Sequence, residues 1–245
     1  MILKQTNESM IETTIIIPTY NERKNLKIFI DQIFDVLGNN NHYEIIIVDD
    51  NSPDGTGKIA DELRDRNENI IVIHRPTKMG ISSAIIDGVK RSNGDYILIS
   101  DGDLQHSAAF YKTLLNEAKN GYDLIIASRY AKDAKIEGWI LTRKIISLGA
   151  TLIAHLFFPE TRKVKDPLSG YFVFKKNKID NVRLSGIGWK FLLELLIMVN
   201  FKRIKEISYS FKTRINGESK MGALEYWNYL KLIFNLKKLK IKLKK

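Results

Sequence analysis

This sequence predicts an α/β protein with a mostly parallel central sheet and helices on both faces, and three observations support that class. Short β-branched runs alternate with stretches of helical periodicity through the first half of the chain. The runs are apolar and bounded by turn signals, as strands buried on both faces are. Charged residues then gather just after the runs, at the edge where open α/β sheets bind ligands.

Thr13 to Ile17 is the first strand, stopped by Pro18. Leu26, Phe29, Ile33 and Leu37 then fall on one helical face, with Asn21 expected as the N-cap. Tyr43 to Val48 is the second strand. It runs into Asp49-Asp50 and the turn Asn51-Ser52-Pro53-Asp54-Gly55, followed by a helix carrying Ile59, Ala60 and Leu63. Ile70 to Ile73 is the third strand and Gly80 to Lys90 the third helix. After the Asn93-Gly94 turn, Asp95 to Ile99 is the fourth strand, leading into Ser100-Asp101-Gly102-Asp103-Leu104-Gln105-His106. A helix over Phe110 to Lys119 and a strand over Leu124 to Ala127, ending at Ser128-Arg129-Tyr130, complete the alternation.

Glu22, Asp49, Asp50, Asp101, Asp103 and Arg129 thus all follow the carboxyl ends of strands. One shared site explains this better than solvated loops, because half of all loops lie at the opposite edge. The first strand–helix turn lacks Gly-x-Gly-x-x-Gly, and no Walker Gly-Lys-Ser/Thr loop is present. An acidic loop cannot cradle a diphosphate directly and needs a divalent cation between the two. Asp-x-Asp offers hard oxygen ligands suited to Mg²⁺ or Mn²⁺.

With 245 residues the chain makes one large domain, or one domain with a small appendage. It has no cysteine, which excludes disulfides and thiolate metal sites, and its four histidines are scattered. The first fourteen residues are polar, so a cytoplasmic location is expected, and no run nears the roughly 18–20 apolar residues of a membrane span. The net charge of +11 is weighted to the C-terminus, where lysines from Lys231 to Lys245 interleave with Leu236, Leu239, Ile241 and Leu243. Each such lysine near anionic lipid contributes about 1 kcal/mol, so a tether on a membrane surface is one reading and a solvated tail the other. A nucleic-acid module would show a recognition motif or a basic helical stripe. Only the terminal lysines answer to that, so no nucleic-acid partner is expected.

Ile17-Pro18-Thr19-Tyr20-Asn21-Glu22, Val48-Asp49-Asp50-Asn51-Ser52-Pro53-Asp54-Gly55-Thr56 and Asp101-Gly102-Asp103-Leu104-Gln105-His106 together resemble the signature segments of family 2 glycosyltransferases. Ser128-Arg129-Tyr130, Gly138-Trp139, the run from Arg143 to Ser147, Asp166-Pro167-Leu168-Ser169-Gly170 and the run from Arg214 to Lys220 agree with that resemblance. It covers roughly residues 13–222 and is nearest to the members that load mannose onto dolichyl or other polyprenyl phosphates. It implies a GT-A nucleotide-sugar-binding fold and inverting, metal-dependent transfer from GDP-mannose, with a UDP-sugar (glucose or N-acetylhexosamine) as the alternative donor. Pro18, Tyr20, Glu22, Val48 and Asp50 would line the nucleoside pocket. Asp101, Gly102, Asp103 and Gln105 would bind the diphosphate and its Mg²⁺ or Mn²⁺, with Asp101, Asp103 and Gln105 as metal ligands. Arg129, Arg214 and Lys220 would contact donor phosphates, and Arg143 the lipid phosphate. The groups expected to carry the reaction are Asp103, Arg129 and Arg143. In this pattern Asp-Gly-Asp replaces Asp-Ala-Asp, Ser107-Ala108 replace prolines, and Leu148 stands where arginine is expected.

A phosphate monoester is mostly dianionic at neutral pH, so the acceptor needs no strong base. Two anions must still approach each other, which calls for the metal and a cluster of Arg and Lys. A catalytically silent subunit would be expected to lose one of these, and neither is lost. Residues 217–222 are expected to form a flexible lid. The organisation expected is an N-terminal segment over 1–12, the catalytic domain over 13–222 and a basic amphipathic segment over 223–245. The apolar stretch at 139–158 is expected to lie on a bilayer, a second surface helix is expected around Tyr226, Trp227, Leu230, Ile233 and Phe234, and Trp189 to Val199 is expected in the core. The chain is accordingly expected at the cytoplasmic face of a membrane, on its own basic tail or with a separate membrane-anchoring subunit.

Overall fold

β1 (Thr13–Thr19) is an inner strand of the sheet, and Ile15, Ile16 and Ile17 in it are wholly buried because helices cover both faces. The structure, a computed structural model, describes residues 11–38, 40, 42–105, 107–211 and 223–243. After β1 come α1 (Leu26–Leu37), β2 (Tyr43–Asp49), α2 (Thr56–Arg64), β3 (Ile70–His74), α3 (Ile81–Arg91), β4 (Tyr96–Ile99), α4 (Tyr111–Lys119) and β5 (Leu124–Ser128). Then follow α5 (Leu141–Phe157), β6 (Phe172–Lys175), α6 (Phe191–Met198), β7 (Ile204–Ser208) and α7 (Ala223–Leu243).

The strands form one sheet in the order β3-β2-β1-β4-β6-β5-β7. β1 pairs parallel to β2 and β4, β2 to β3, and β5 to β7. β6 runs antiparallel between β4 and β5, with Ile99 opposite Phe172 and Ile126 opposite the same residue on the other side. The alternation of strands and helices predicts the first five strands. It does not reveal β6 or β7, which are short and follow irregular chain.

Strand periodicity sorts the core into two layers. Ile15, Ile17, Ile45, Ile47 and Leu98 pack with Phe29 and Ile33 of α1 and with Tyr111 and Leu114 of α4. Ile16, Ile46, Val48, Ile97 and Ile99 pack on the other face with Ala84 and Ile85 of α3 and Leu192, Leu195 and Leu196 of α6. A third cluster joins Ala154 and Phe158 to Leu193, Ile197, Tyr229, Leu232, Ile233 and Leu236, seating α6 between the sheet and the α5–α7 pair. Every residue from Phe191 to Ile197 is therefore buried, as expected of a helix that is apolar all round. The buried Glu194 is satisfied by the backbone N–H groups of Ser185 and Gly186.

Two local expectations are corrected. Asn21 takes a left-handed conformation (φ 59°) well before α1, and Asn25 holds the N-cap position. In α7, Trp227, Phe234 and Ile241 are exposed, while Ile233 turns inward against α5 and α6. Along α5 the exposed residues Leu141, Ile145, Leu148, Leu152 and Leu156 make an unbroken apolar stripe, with Thr151 and Ala154 buried behind it. Among the described residues no helix is long and apolar enough to cross a membrane.

Candidate active site

The carboxyl edge of the sheet opens into a cleft of about 800 Å³. The opposite edge also carries a polar cluster, but a closed one: buried Glu44 accepts hydrogen bonds from Thr14 Oγ1 at 2.6 Å and from Asn93 N and Nδ2 at 2.6 and 2.9 Å. Its groups satisfy one another and hold the Asn93-Gly94 turn against β1. Polar groups at the carboxyl edge line open space instead.

The loops after β1 and β2 are sewn together. Asn21 N donates to Ser52 Oγ (3.0 Å), Glu22 N to Thr56 Oγ1 (2.9 Å) and Arg23 N to Asp54 Oδ2 (3.1 Å). Pro18, Tyr20, Glu22 and Asp50 line the cleft. Val48 does not, because its side chain belongs to the core beneath. Asp49 is turned inward to Ser52 and Thr19. Asp50 is heavily committed: Oδ1 accepts from Arg75 Nη1 (2.7 Å) and Met79 N (2.8 Å), and Oδ2 from Gly80 N (2.8 Å). It thereby fastens the β3–α3 loop to the end of β2. Lys78 in that loop stands over the Tyr20 ring, 3.8 Å from its centroid.

Asp101, Gly102, Asp103 and Gln105 all reach the cleft from the loop after β4. A β-carbon on Gly102 would come within 3.2 Å of Ile17 Cγ2, so glycine lets the loop rest on the end of β1, and alanine would fit only tightly. Leu104 is left-handed (φ 61°), which turns the chain sharply after the second aspartate. Asp103 is only 5% exposed, and its Oδ1 accepts from Gln105 N at 3.1 Å. An aromatic packing of Phe110, Tyr171, Tyr209 and Phe211 lies under this loop, and Tyr209 OH donates to Gln105 O at 2.6 Å. Burial pushes the Tyr171 and Tyr209 hydroxyls above the ordinary phenol range, so both remain donors.

Two carboxylates and a carboxamide from one loop suit Mg²⁺ or Mn²⁺, which take their remaining ligands from phosphate and water. Among the described residues no group of three His, Cys, Asp or Glu is arranged to hold a metal alone, so a cation here would be shared with its ligand.

Across the cleft stand the cations. Arg129 leaves β5 and is gripped by Asp166, Nε to Oδ2 at 2.8 Å and Nη2 to Oδ1 at 2.7 Å. Arg129 also lies 5.6 Å from the Trp139 ring, and Arg143, in the first turn of α5, lies 4.5 Å from the same ring. Lys190 extends into this group from the residue before α6 and donates to Leu168 O at 3.1 Å. Desolvation, reinforced by Arg129 and opposed by Asp101 and Asp166, lowers its pKa to about 8. Three of these participants were not assigned from the sequence: Asp166, Lys190 and Lys78. Asp166 sits in a quoted motif but pairs with a residue 37 positions away, Lys190 is one lysine before an apolar run, and Lys78 carries no motif at all. Arg214, Lys220, His106 and the expected lid at 217–222 lie outside the described residues.

The chain matches the family model "Glycosyl transferase family 2" over residues 14–182. It is 40% identical over 228 residues to a dolichol-phosphate mannosyltransferase of Pyrococcus furiosus, covering 93% of this chain and 64% of that protein, so it spans less than two thirds of that relative. It is 31% identical over 241 residues to the dolichol-phosphate mannosyltransferase of Saccharomyces cerevisiae, covering 93% of this chain and 88% of that one. Among solved structures, mannosyl-3-phosphoglycerate synthase from Rubrobacter xylanophilus superposes with a TM-score of 0.67 at 18% identity, over 96% of this chain and 76% of that one. Glucosyl-3-phosphoglycerate synthase from Mycobacterium tuberculosis, in complex with Mn²⁺, UDP-glucose and phosphoglyceric acid, gives 0.65 at 19% identity, over 92% and 79%. These neighbours share the GT-A fold, which the seven-stranded sheet of this chain reproduces. The family match runs from the first strand past the reversed one, and the curated relatives align over nine-tenths of the chain: the chain belongs to glycosyl transferase family 2.

Proposed function

We propose that this protein transfers mannose from GDP-mannose to dolichyl or another polyprenyl phosphate, with inversion at the anomeric carbon, while resting on a membrane surface. The observation that carries this reading is the double position of Arg143. Its guanidinium lines the cleft, and it belongs to the first turn of the helix whose outer face is the stripe from Leu141 to Leu156. An anion held by Arg143 has an apolar path leading away from it, which fits a phosphate on an isoprenoid tail. The names of the curated relatives support the same acceptor.

The chemistry follows from charge. The acceptor phosphate, with a second pKa of about 6, is mostly dianionic at neutral pH and attacks the anomeric carbon without a general base. The new oxygen–carbon bond forms as the bond to the diphosphate oxygen breaks, so the sugar inverts and the electron pair leaves on the nucleoside diphosphate. Lys190, protonated below about pH 8, and Arg129 line the same cleft and would stabilise that negative charge. Mg²⁺ or Mn²⁺, held by Asp101 and Asp103 with Gln105 beside them, would neutralise it further. The mycobacterial synthase, a neighbour in fold, was solved in complex with both Mn²⁺ and UDP-glucose, which supports that role.

Trp227, Phe234 and Ile241 are exposed apolar residues of α7, the helix that packs on α5 through Phe234 and Phe157, and Lys237, Lys238 and Lys242 stand exposed on the same helix. That combination suits an anionic bilayer surface. The decisive experiment is a donor screen: GDP- and UDP-sugars offered with a polyprenyl phosphate in vesicles, with Mg²⁺, Mn²⁺ or chelator. Cation-dependent transfer from GDP-mannose, giving the β-linked product from the α-linked donor, is expected. Turnover only with a UDP-sugar would overturn the donor, and undiminished transfer in chelator would overturn the metal.

A further inference from the structure

Arg129 and Arg143 enter the cleft from different elements, one just after β5 and the other in the first turn of α5, yet one ring meets both. The Trp139 indole lies 5.6 Å from the Arg129 guanidinium and 4.5 Å from that of Arg143. The ring is itself anchored. It stands edge-on to Phe211, with centroids 5.5 Å apart, and the chain before it is laddered to the same residue. Phe211 N donates to Lys135 O at 2.8 Å, and Glu137 N to Phe211 O at 3.0 Å. Two residues before Phe211, Tyr209 OH holds Gln105 O at 2.6 Å. One short stretch after β7 thus supports both the acidic loop and the ring that the arginines share. Both arginines also depress the Lys190 pKa, so the three cations lie within electrostatic reach of one another.

We propose that Trp139 is a positioning residue for glycosyl transfer, fixing Arg129 and Arg143 at one spacing so that cations of a single unit meet the leaving diphosphate and the incoming phosphate. This rests on the reading of donor and acceptor above. Arg129 is already gripped through its fork by Asp166, and the shared ring gives Arg143 a fixed reference to that held partner. An aromatic face attracts a cation without neutralising it and without taking its in-plane N–H donors. A carboxylate in the same place would cancel the charge and compete with a phosphate for those donors. Spacing matters because a misplacement of about 1 Å at a reacting centre slows a reaction about a hundredfold.

The test is a double-mutant cycle on the full chain, read as kcat/KM for transfer to a short-chain polyprenyl phosphate with Mg²⁺. The donor is GDP-mannose, or UDP-glucose should only that turn over. Trp139→Met keeps apolar bulk without an aromatic face and is expected to lower kcat/KM about thirtyfold, whereas Trp139→Phe keeps a smaller face and loses about threefold. Arg143→Ala should cost at least about fivefold less in the Trp139→Met background than in the native one, since an arginine already out of place has less to lose. Native turnover in Trp139→Met, additive costs in the cycle, or a folded Trp139→Phe as slow as Trp139→Met would reduce Trp139 to packing on Phe211 and overturn the proposal. Should Trp139→Met fail to fold, the cycle on Trp139→Phe decides: coupling of about twofold or more supports the proposal and additivity overturns it. A native chain that transfers nothing from either donor refutes the underlying reading and this inference with it, a failure visible without any variant.

Discussion

Asp166 holds Arg129 through three hydrogen bonds: its two oxygens accept from Nε and Nη2, and Oδ2 also accepts from the Arg129 backbone N–H at 2.9 Å. Asp166 is fully buried and is fixed in turn by Glu206 of β7, which accepts from its backbone N–H at 3.0 Å. Removing one partner of such a pair strands a buried charge, so Asp166→Ala is expected to lower stability by about 3–5 kcal/mol, measured by denaturant unfolding. The pH dependence has a definite sign. Burial raises the Asp166 carboxyl, and the charge and hydrogen bonds of Arg129 more than reverse this, leaving it below the ordinary carboxylate range. Its stabilisation is therefore complete above about pH 4 and is lost as the pH falls through the depressed value. The stability gap between the native protein and Asp166→Asn should close on acidification, and a gap constant down to pH 2 would contradict the assignment.

Lys190 predicts an alkaline limit. Its proton is lost above about pH 8, well below the ordinary lysine value, because burial and Arg129 disfavour the charge. The kcat/KM for the donor should fall with an apparent pKa near that value, and Lys190→Met should be slow and lack this limb. The same shift gives stability a rising contribution between about pH 8 and the unfolded lysine value near 10.4, since the unfolded chain then binds the extra proton.

Asp103 tests the acidic loop. Asp103→Asn keeps an oxygen that can accept from Gln105 N–H, so the melting temperature should stay close to native while turnover falls by about 10²–10³, as for loss of a group that stabilises transition-state charge. Asp103→Ala should lose similar activity and also stability, because the buried turn forfeits its internal hydrogen bond. Native turnover in Asp103→Asn would remove it from the reaction.

The α5 stripe predicts a separation of binding from chemistry. Leu148 and Leu152 are 52% and 68% exposed, so Leu148→Glu and Leu152→Glu should leave the melting temperature unchanged. Each should weaken binding to anionic vesicles by about tenfold, in line with about 1.5–3 kcal/mol per buried leucine, while transfer to a short-chain soluble acceptor persists. Undiminished sedimentation with vesicles would show that this face does not meet lipid.

The first five strands, the helices between them and the gathering of acids at one edge were legible because β-branched runs and helical periodicity are local signals. β6 was not, since four residues after a Pro-Leu-Ser-Gly turn carry no period, and nothing local announces a reversed strand between two parallel ones. β7 reads Ile-Lys-Glu-Ile-Ser, and its charges are spent on long-range partners such as Glu117, bound by Lys205. The same limit governed the site. Tyr20, Asp101 and Arg143 line the cleft, but the loop of Asp103 is fastened at Gln105 by Tyr209, a hundred positions later, and Asp50 is tied to Arg75. Val48 could be assigned to the core only once its face of β2 was known.

Because β6 travels against its neighbours, the chain arrives at the carboxyl edge just before that strand, whereas elsewhere it arrives just after one. Asp166, Leu168 and Ser169 are therefore delivered on an incoming segment, and Arg129 on an outgoing one. The two halves of the cleft are thus clamped by opposed runs of backbone whose relative offset is set by ladder pairing. A single residue inserted between 167 and 171 would have to be absorbed as a bulge or slide Asp166 by about 3.3 Å, enough to unseat Arg129. Length in that short stretch should be far less forgiving than its composition.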